Sequence, residues 1–110
     1  MRNRVFITGI GMVVPHGDDA RKVFDALCEG RSAVRKTRTG TEELGNDTLL
    51  ATAALSTEGV IAKAQLLGMD RVSQLAVVAA HNALRDAGLP PSDPGSVPVH
   101  AGVYVGCGLG

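Results

Sequence analysis

The clearest structural signal in this chain is the stretch D-R-V-S-Q-L-A-V-V-A-A-H-N-A-L-R-D-A-G, residues 70–88. Its apolar residues recur at helical spacing, which predicts an amphipathic helix. Asp70 can cap the start of this helix, and Gly88 followed by Pro90 and Pro91 ends it. Because the apolar face is mostly alanine, we expect a neighbouring helix or sheet to approach it closely. The face consists of Val72, Leu75, Ala76, Ala79, Ala80, Ala83, Leu84 and Ala87.

Strand-like segments precede and follow this helix. Residues 4–8 read R-V-F-I-T and run into Gly9-Ile10-Gly11, and residues 101–106 read A-G-V-Y-V-G. Both segments predict strands that are buried on both faces. Residues 49–55, L-L-A-T-A-A-L, fit either a strand or a helical turn, and we favour a strand.

A shorter helix is predicted between Asp18, which can cap its start, and Gly30, which can end it. Its apolar face consists of Ala20, Val23, Phe24 and Leu27. The order strand, helix, weak strand or turn, helix, strand predicts an α/β fold. We expect a mostly parallel or mixed sheet with helices covering both faces, and so few strands leave its edges open.

Composition narrows the classes of function. With 110 residues and 45% hydrophobic content, the chain can build one modest domain. Lys plus Arg and Asp plus Glu balance at 11 each, so we expect neither a nucleic acid nor an anionic membrane surface as a partner. The basic run from Arg31 to Arg38 is interpreted as a solvated loop. No stretch has the length of a signal sequence or a membrane span, which predicts a soluble protein.

The Gly9-Ile10-Gly11 turn after a strand resembles the start of a dinucleotide-binding fingerprint. That fingerprint needs a third Gly or Ala at position 14 and a helix that opens through the motif. Position 14 is Val14, and Pro15 to Gly17 interrupt any helix there. A phosphate-binding loop is also absent, since no G-K-S or G-K-T occurs. We therefore expect no nucleotide and no other cofactor.

The cysteines and histidines do not form a site in the sequence. Cys28 and Cys107 lie far apart and make no zinc or disulfide pattern, which fits a reducing cytoplasm. Cys107 between two glycines has the setting of a nucleophile, but nothing designates a base for it, and a small buried hydrophobe explains it more simply. The three histidines, His16, His81 and His100, have no metal-binding partners at ligand spacing.

Four segments together resemble the N-terminal part of a β-ketoacyl-acyl carrier protein synthase. They occur in the order that the family has them and cover most of residues 3–110. They are R-V-F-I-T-G-I-G-M-V-V-P-H-G, F-D-A-L-C-E-G-R-S-A-V-R, M-D-R-V-S-Q-L-A-V-V-A-A-H-N-A-L-R-D-A-G-L and G-V-Y-V-G-C-G-L-G.

The resemblance implies a thiolase-like fold, a layered αβαβα body that forms a homodimer. It also implies a decarboxylative Claisen condensation, in which an acyl group on a cysteine is extended with malonyl-acyl carrier protein. The family uses one Cys and two His, supported by a Lys, and their motifs lie beyond residue 110. Residues 51–56, A-T-A-A-L-S, superficially resemble the nucleophile motif but have no cysteine. Cys107 stands where the family often has Ser or Thr, which argues further against a nucleophile.

One binding element carries over from the family, the glycine turn that ends this sequence. In the family the residue between its last two glycines lies against the acyl chain and gates the pocket. Here Leu109 has that place, between Gly108 and Gly110. A leucine that fills core beside the turn explains the residue equally well. His16 replaces the leucine that is usual in the family after the first strand.

We therefore expect residues 1–110 to be the first portion of a longer cytoplasmic acyltransferase of fatty-acid or polyketide synthesis. Its expected partners are acyl carrier protein and acyl and malonyl thioesters, and the 110 residues alone are expected to be inactive. The alternative is a non-catalytic subunit, similar to a chain-length factor, that supplies a pocket wall to a partner.

Overall fold

The computed structural model describes residues 2–40, 45–89 and 100–108. The chain divides into two compact units, Val13–Leu55 and the combination of Met1–Met12 with Ser56–Gly110. In chain order the elements are α1 (Ala20–Cys28), β1 (Arg35–Thr39), β2 (Asn46–Leu50), α2 (Lys63–Leu66) and α3 (Arg71–Asp86).

Helix α3 confirms the strongest prediction from the sequence. The Asp70 carboxylate accepts a hydrogen bond from the Ser73 backbone N–H at 2.8 Å. At the other end Ala87 is the C-cap, and Gly88 follows with a φ of 73° that favours glycine. The buried residue of α3 is Val78, which lies beside the predicted alanine face rather than on it. Val78 and Ile61 are the buried apolar residues of this unit among the described residues.

Residues 2–12 form no strand, and Gly9, Ile10 and Gly11 of this segment contact α3. Gly9 and Gly11 come into contact with the helix backbone at Ala79, Ala83 and Ala87. A close approach to the alanine face is thus found, but the neighbour is an irregular N-terminal segment rather than the expected helix or sheet.

The predicted strands at residues 4–8 and 101–106 are not present in the structure. Both segments are irregular, and the sheet among the described residues is two-stranded and antiparallel rather than mostly parallel. A strand is defined by the ladder of hydrogen bonds to its neighbour, and neither segment has such a neighbour in the described part of the chain. Their side chains are accordingly open to solvent, with Val5 91% and Tyr104 97% exposed.

The smaller unit contains α1, which begins one residue later than predicted. Asp19, not Asp18, is the cap, and its carboxylate accepts from the backbone N–H groups of Arg21 and Lys22, both at 3.0 Å. The helix buries Val23 and Ala26. The other large residues of the predicted apolar face, Phe24 and Leu27, are 65% and 61% exposed.

A hairpin of β1 and β2 follows α1, and it corrects two predictions. The strands pair antiparallel, from Arg35 opposite Leu50 to Thr39 opposite Asn46, so the basic run taken for a loop is partly a strand. Every residue of β1 is exposed. In the ambiguous stretch 49–55 only the first two residues belong to a strand, because β2 ends at Leu50.

Candidate functional site

The glycine turn predicted to gate an acyl pocket lies at the limit of the described structure. Gly108 is exposed, and a Cβ added to it would meet no atom within 4 Å. Leu109 and Gly110 lie outside the described residues. Their role in a pocket therefore stays a prediction.

The reactive side chains in the described part of the chain include two cysteines and two histidines. Cys28 and Cys107 are both free thiols and both exposed, so Cys107 is not the buried hydrophobe that the sequence favoured. His81 lies in α3 and His100 lies in the segment after it. Within residues 2–40, 45–89 and 100–108 no group of three His, Cys, Asp or Glu side chains is placed to hold a metal ion.

The unit of residues 13–55 contains an open groove of about 590 Å³ that the sequence analysis did not identify. Helix α1 forms one wall with Lys22, Asp25 and Glu29, and the segment that follows the helix contributes Arg31 and Arg35. The sequence contains one indication of this groove. Lys22, Asp25 and Glu29 are spaced i, i+3 and i+7, which places them on one helical face.

A histidine holds one end of this groove in place. Val14 and Gly17 exchange two backbone hydrogen bonds, of 3.0 and 2.9 Å, around a two-residue turn of Pro15 and His16. The His16 Nε2 lies 2.7 Å from the Arg31 carbonyl oxygen. Since a carbonyl only accepts, Nε2 carries the proton in this bond. His16, where the family usually has leucine, thus ties the turn to the residues after α1.

Two of the charged side chains of the groove form an ion pair, and a third is hydrogen-bonded to the backbone. Arg31 Nε pairs with the Glu29 carboxylate at 2.6 Å, and the Arg35 guanidinium donates to the carbonyl oxygens of Ser32 and Val34. At the start of α1, the Lys22 backbone N–H, together with that of Arg21, lowers the pKa of Asp19. The groove has hydrogen-bonding groups for a small polar ligand.

The Gly9-Ile10-Gly11 motif has a structural explanation in this chain. A Cβ at Gly9 would overlap the Ala83 carbonyl oxygen and lie 2.7 Å from the Ala87 nitrogen, and one at Gly11 would overlap the Ala79 carbonyl oxygen. The Ile10 N–H, which a phosphate would need, donates to the Asp86 carboxylate at 2.8 Å. The motif serves contact with α3.

No helix among the described residues has the length and apolar character that crossing a bilayer requires.

Comparison with known proteins gives matches along the whole chain. Nodulation protein E of Rhizobium meliloti (strain 1021) is 38% identical over 111 residues, which is 100% of this chain and 27% of the relative. Nodulation protein E of Rhizobium sp. (strain N33) is 42% identical over 89 residues, 81% of this chain and 22% of the relative. The 3-oxoacyl-[acyl-carrier-protein] synthase 2 of Staphylococcus aureus (strain N315) is 33% identical over 108 residues, 97% of this chain and 26% of the relative.

The chain thus spans about a quarter of the length of the curated relatives that it matches. No solved structure matches it significantly. The sequence model of the family described as "Beta-ketoacyl synthase, N-terminal domain" matches residues 2–110. Because this match extends over nearly the entire chain, the chain belongs to the β-ketoacyl synthase family, within its N-terminal domain.

Proposed function

We propose that this chain forms the N-terminal part of a 3-oxoacyl-acyl carrier protein synthase of fatty-acid or polyketide synthesis. The observation that carries the proposal is the family match over residues 2–110. The 33% identity to a named 3-oxoacyl-[acyl-carrier-protein] synthase 2 supports it. The reaction is a condensation between an acyl thioester and malonyl-acyl carrier protein, in the cytoplasm, by a homodimeric enzyme.

In this reaction a cysteine thiolate takes the acyl group from its thioester and releases the carrier thiol. Malonyl-acyl carrier protein then loses CO₂, and the resulting enolate attacks the acyl carbon, which frees the cysteine again. Two histidines and a lysine of the remaining protein stabilise the charges that develop. The part of residues 1–110 in this scheme is to build the scaffold and one wall of the acyl pocket, where Leu109 contacts the chain between Gly108 and Gly110.

The complete fold is proposed to be the layered αβαβα body of thiolase-like enzymes. The apolar segments left open here support this proposal. Val5, Phe24 and Tyr104 are 91%, 65% and 97% exposed, although their neighbours in sequence have the composition of buried strands and of a helix face. Further strands and helices from the rest of a synthase would bury these side chains.

A chimera tests the proposal directly. The matching part of the Staphylococcus aureus synthase is replaced by residues 1–110, and malonyl-dependent extension of an acyl-acyl carrier protein is measured. We expect the chimera to extend the acyl chain, whereas the 110 residues alone do not. The matched control is the same chimera with its nucleophilic cysteine changed to alanine.

A chimera that folds as a dimer, binds acyl carrier protein and still gives no product would contradict the proposal. In that event the non-catalytic subunit becomes the better account. Adding an intact synthase tests this alternative, because a non-catalytic subunit would change the activity of the intact enzyme.

A further inference from the structure

The glycines of the N-terminal segment lie over backbone hydrogen bonds at the end of α3. A Cβ built on Gly11 would overlap the Ala79 carbonyl oxygen and the Ala83 nitrogen, which are the acceptor and the donor of one helical hydrogen bond. A Cβ built on Gly9 would overlap the Ala83 carbonyl oxygen and lie 2.7 Å from the Ala87 nitrogen, and these two atoms form the next such bond, of 3.0 Å. The backbone of this segment therefore covers two successive hydrogen bonds of the helix.

Asp86 attaches the same segment to the helix through its side chain. Its carboxylate accepts a hydrogen bond of 2.8 Å from the N–H of Ile10, the residue between the two glycines. A hydrogen bond to a charged acceptor is stronger than one between neutral groups. Ile10 and Asp86 are 76 positions apart in sequence, so this bond joins the start of the chain to the end of α3.

The Asp86 carboxylate is unfavourable for the helix that carries it. Asp86 is the last residue of α3, and the aligned peptide dipoles make the C-terminal end of a helix negative. Aspartate also has a lower helix propensity than alanine. Among the described residues Asp86 forms no ion pair that would offset these effects. The bond to Ile10 offsets them, and this bond exists only while the segment is docked.

We propose that Gly9, Ile10, Gly11 and Asp86 form a clasp, in which the N-terminal segment and the last turn of α3 become ordered together. With the segment docked, the glycine backbone limits the access of water to the helical hydrogen bonds, and the Ile10 N–H compensates the Asp86 charge. With the segment detached, the same bonds are open to water and the charge weakens the turn. Each part therefore stabilises the other, although they are far apart in the chain. This inference does not depend on the proposed enzymatic function.

Amide hydrogen exchange in the 110-residue chain, resolved to single residues, tests the clasp with the variant Asp86→Ala. We expect the Ile10 amide to exchange roughly tenfold faster or more, because it loses its acceptor. The Ala87 amide should exchange about threefold faster, because detachment of the segment outweighs the relief of the helix end. The amides of residues 75–80 should keep their protection. Asn82→Ala, one turn earlier on α3, is the matched control and should accelerate neither amide.

A second variant, Gly9→Ala, should reverse the sign of the Asp86 effect. Its added methyl group displaces the segment, so the bond from Ile10 is already lost. Asp86→Ala then only removes an unfavourable charge, and the Ala87 amide should exchange roughly twofold to fivefold more slowly. The gain in helix propensity from Asp to Ala is common to both backgrounds and cancels in the comparison. Gly106→Ala, whose Cβ would meet no atom within 4 Å, is the control background and should keep the wild-type sign.

Equal effects of Asp86→Ala on the Ala87 amide in the wild-type and Gly9→Ala chains would overturn the proposal, because the segment and the helix end would then be independent. If Gly9→Ala does not fold, the single variant Asp86→Ala decides between the outcomes. An Ala87 amide that is unchanged or slower in Asp86→Ala, beside a faster Ile10 amide, would then overturn the clasp.

Discussion

Gly11 is the residue at which a single methyl group should matter most. A Cβ there would overlap the Ala79 carbonyl oxygen and lie 3.1 Å from the carbonyl carbon, both parts of a helix backbone that cannot move aside easily. We expect Gly11→Ala to lower the free energy of unfolding by about 1–3 kcal/mol, the usual cost of overpacking. Urea denaturation followed by circular dichroism measures it.

Gly106→Ala is the matched control for this substitution. A Cβ at Gly106 would meet nothing within 4 Å, and its φ is not positive, so the change should stay within about 0.5 kcal/mol. Equal denaturation midpoints for Gly11→Ala and the wild type would show that the contact of Gly11 with α3 does not contribute to the stability of the folded chain.

Asp70 gives a prediction for the pH dependence of stability. The Ser73 hydroxyl and backbone N–H both donate to its carboxylate and lower its pKa in the folded chain. A lowered folded pKa means that the stabilisation is present above the unfolded pKa, about 4, and is lost as the pH falls through the folded value. Asp70→Ala should therefore destabilise the chain at pH 7 and have little effect at pH 2.

Asp70→Asn separates charge from capping in this experiment. Asparagine caps a helix as well as aspartate does but does not titrate, so α3 should persist while the stability depends less on pH between 2 and 5. The measurement is the midpoint of urea denaturation at several pH values. An Asp70→Asn profile as steep as that of the wild type would assign the acid sensitivity to other carboxylates.

Leu109 carries the prediction on substrate length. If its side chain gates the acyl pocket, a larger residue should shorten the chain that fits. In the active chimera, Leu109→Phe should reduce kcat/KM for long acyl groups at least tenfold and change it much less for short ones, whereas Leu109→Ala should relax the limit. A uniform loss across all chain lengths would instead indicate a leucine that fills the core.

At the residue scale, the sequence predicted interactions between neighbouring residues and missed contacts between residues that are far apart in the chain. Asp70 was found because a cap and its helix are neighbours in sequence. The contacts of Gly9 and Gly11, and the bond from Ile10 to Asp86, join residues about 70 positions apart. Without knowledge of its partner helix, the glycine pair resembles a nucleotide-binding motif. Close contact with a helix and close contact with a phosphate both require a residue that has no side chain.

At the scale of elements, α1 offers two adjacent residues with opposite expected effects. Val23 is buried at 7% exposure, and Phe24 beside it is 65% exposed. In the 110-residue chain we expect Val23→Ala to cost about 1–2 kcal/mol and Phe24→Ala less than about 0.5 kcal/mol. Thermal and urea denaturation both measure the difference.

In the chimera, the proposed fold predicts the opposite order for the stability costs of these two substitutions. Further elements would then cover Phe24, and Phe24→Ala should cost about 3 kcal/mol or more, above the cost of Val23→Ala. A Phe24→Ala chimera as stable as its parent would show that this face of α1 stays open in the longer protein.

The helices were predictable from the sequence, and the sheet was not, for a physical reason. A helix closes its hydrogen bonds within four residues, so spacing and caps specify it. The hairpin joins two polar segments, with Lys36 and Asp47 paired at 2.7 Å and Thr39 and Thr48 hydroxyls at 3.1 Å, and polar segments resemble loops. Residues 4–8 and 101–106 have strand composition, but their ladder needs a partner strand.

At the scale of the molecule, few apolar residues are buried in the described ranges. They are Val23, Ala26, Ile61 and Val78. Large apolar side chains in the extended segments stay in water at the same time. An arrangement of this kind fits a domain whose relatives are about four times as long.

Hydrogen exchange of the backbone amides in residues 4–8 and 101–106 tests this interpretation of the molecule. Val5 to Ile7 and Val103 to Val105 are exposed and lie outside any ladder in this structure, so their amides should exchange rapidly in the 110-residue chain. In the chimera the same segments should become strands of a buried sheet, and their exchange should slow at least a hundredfold. The Asp70 to Asp86 region serves as an internal reference, because α3 already has its hydrogen bonds in both proteins. If the chimera is active while these amides still exchange as fast as in the short chain, the segments are surface elements, and the layered fold does not extend to them.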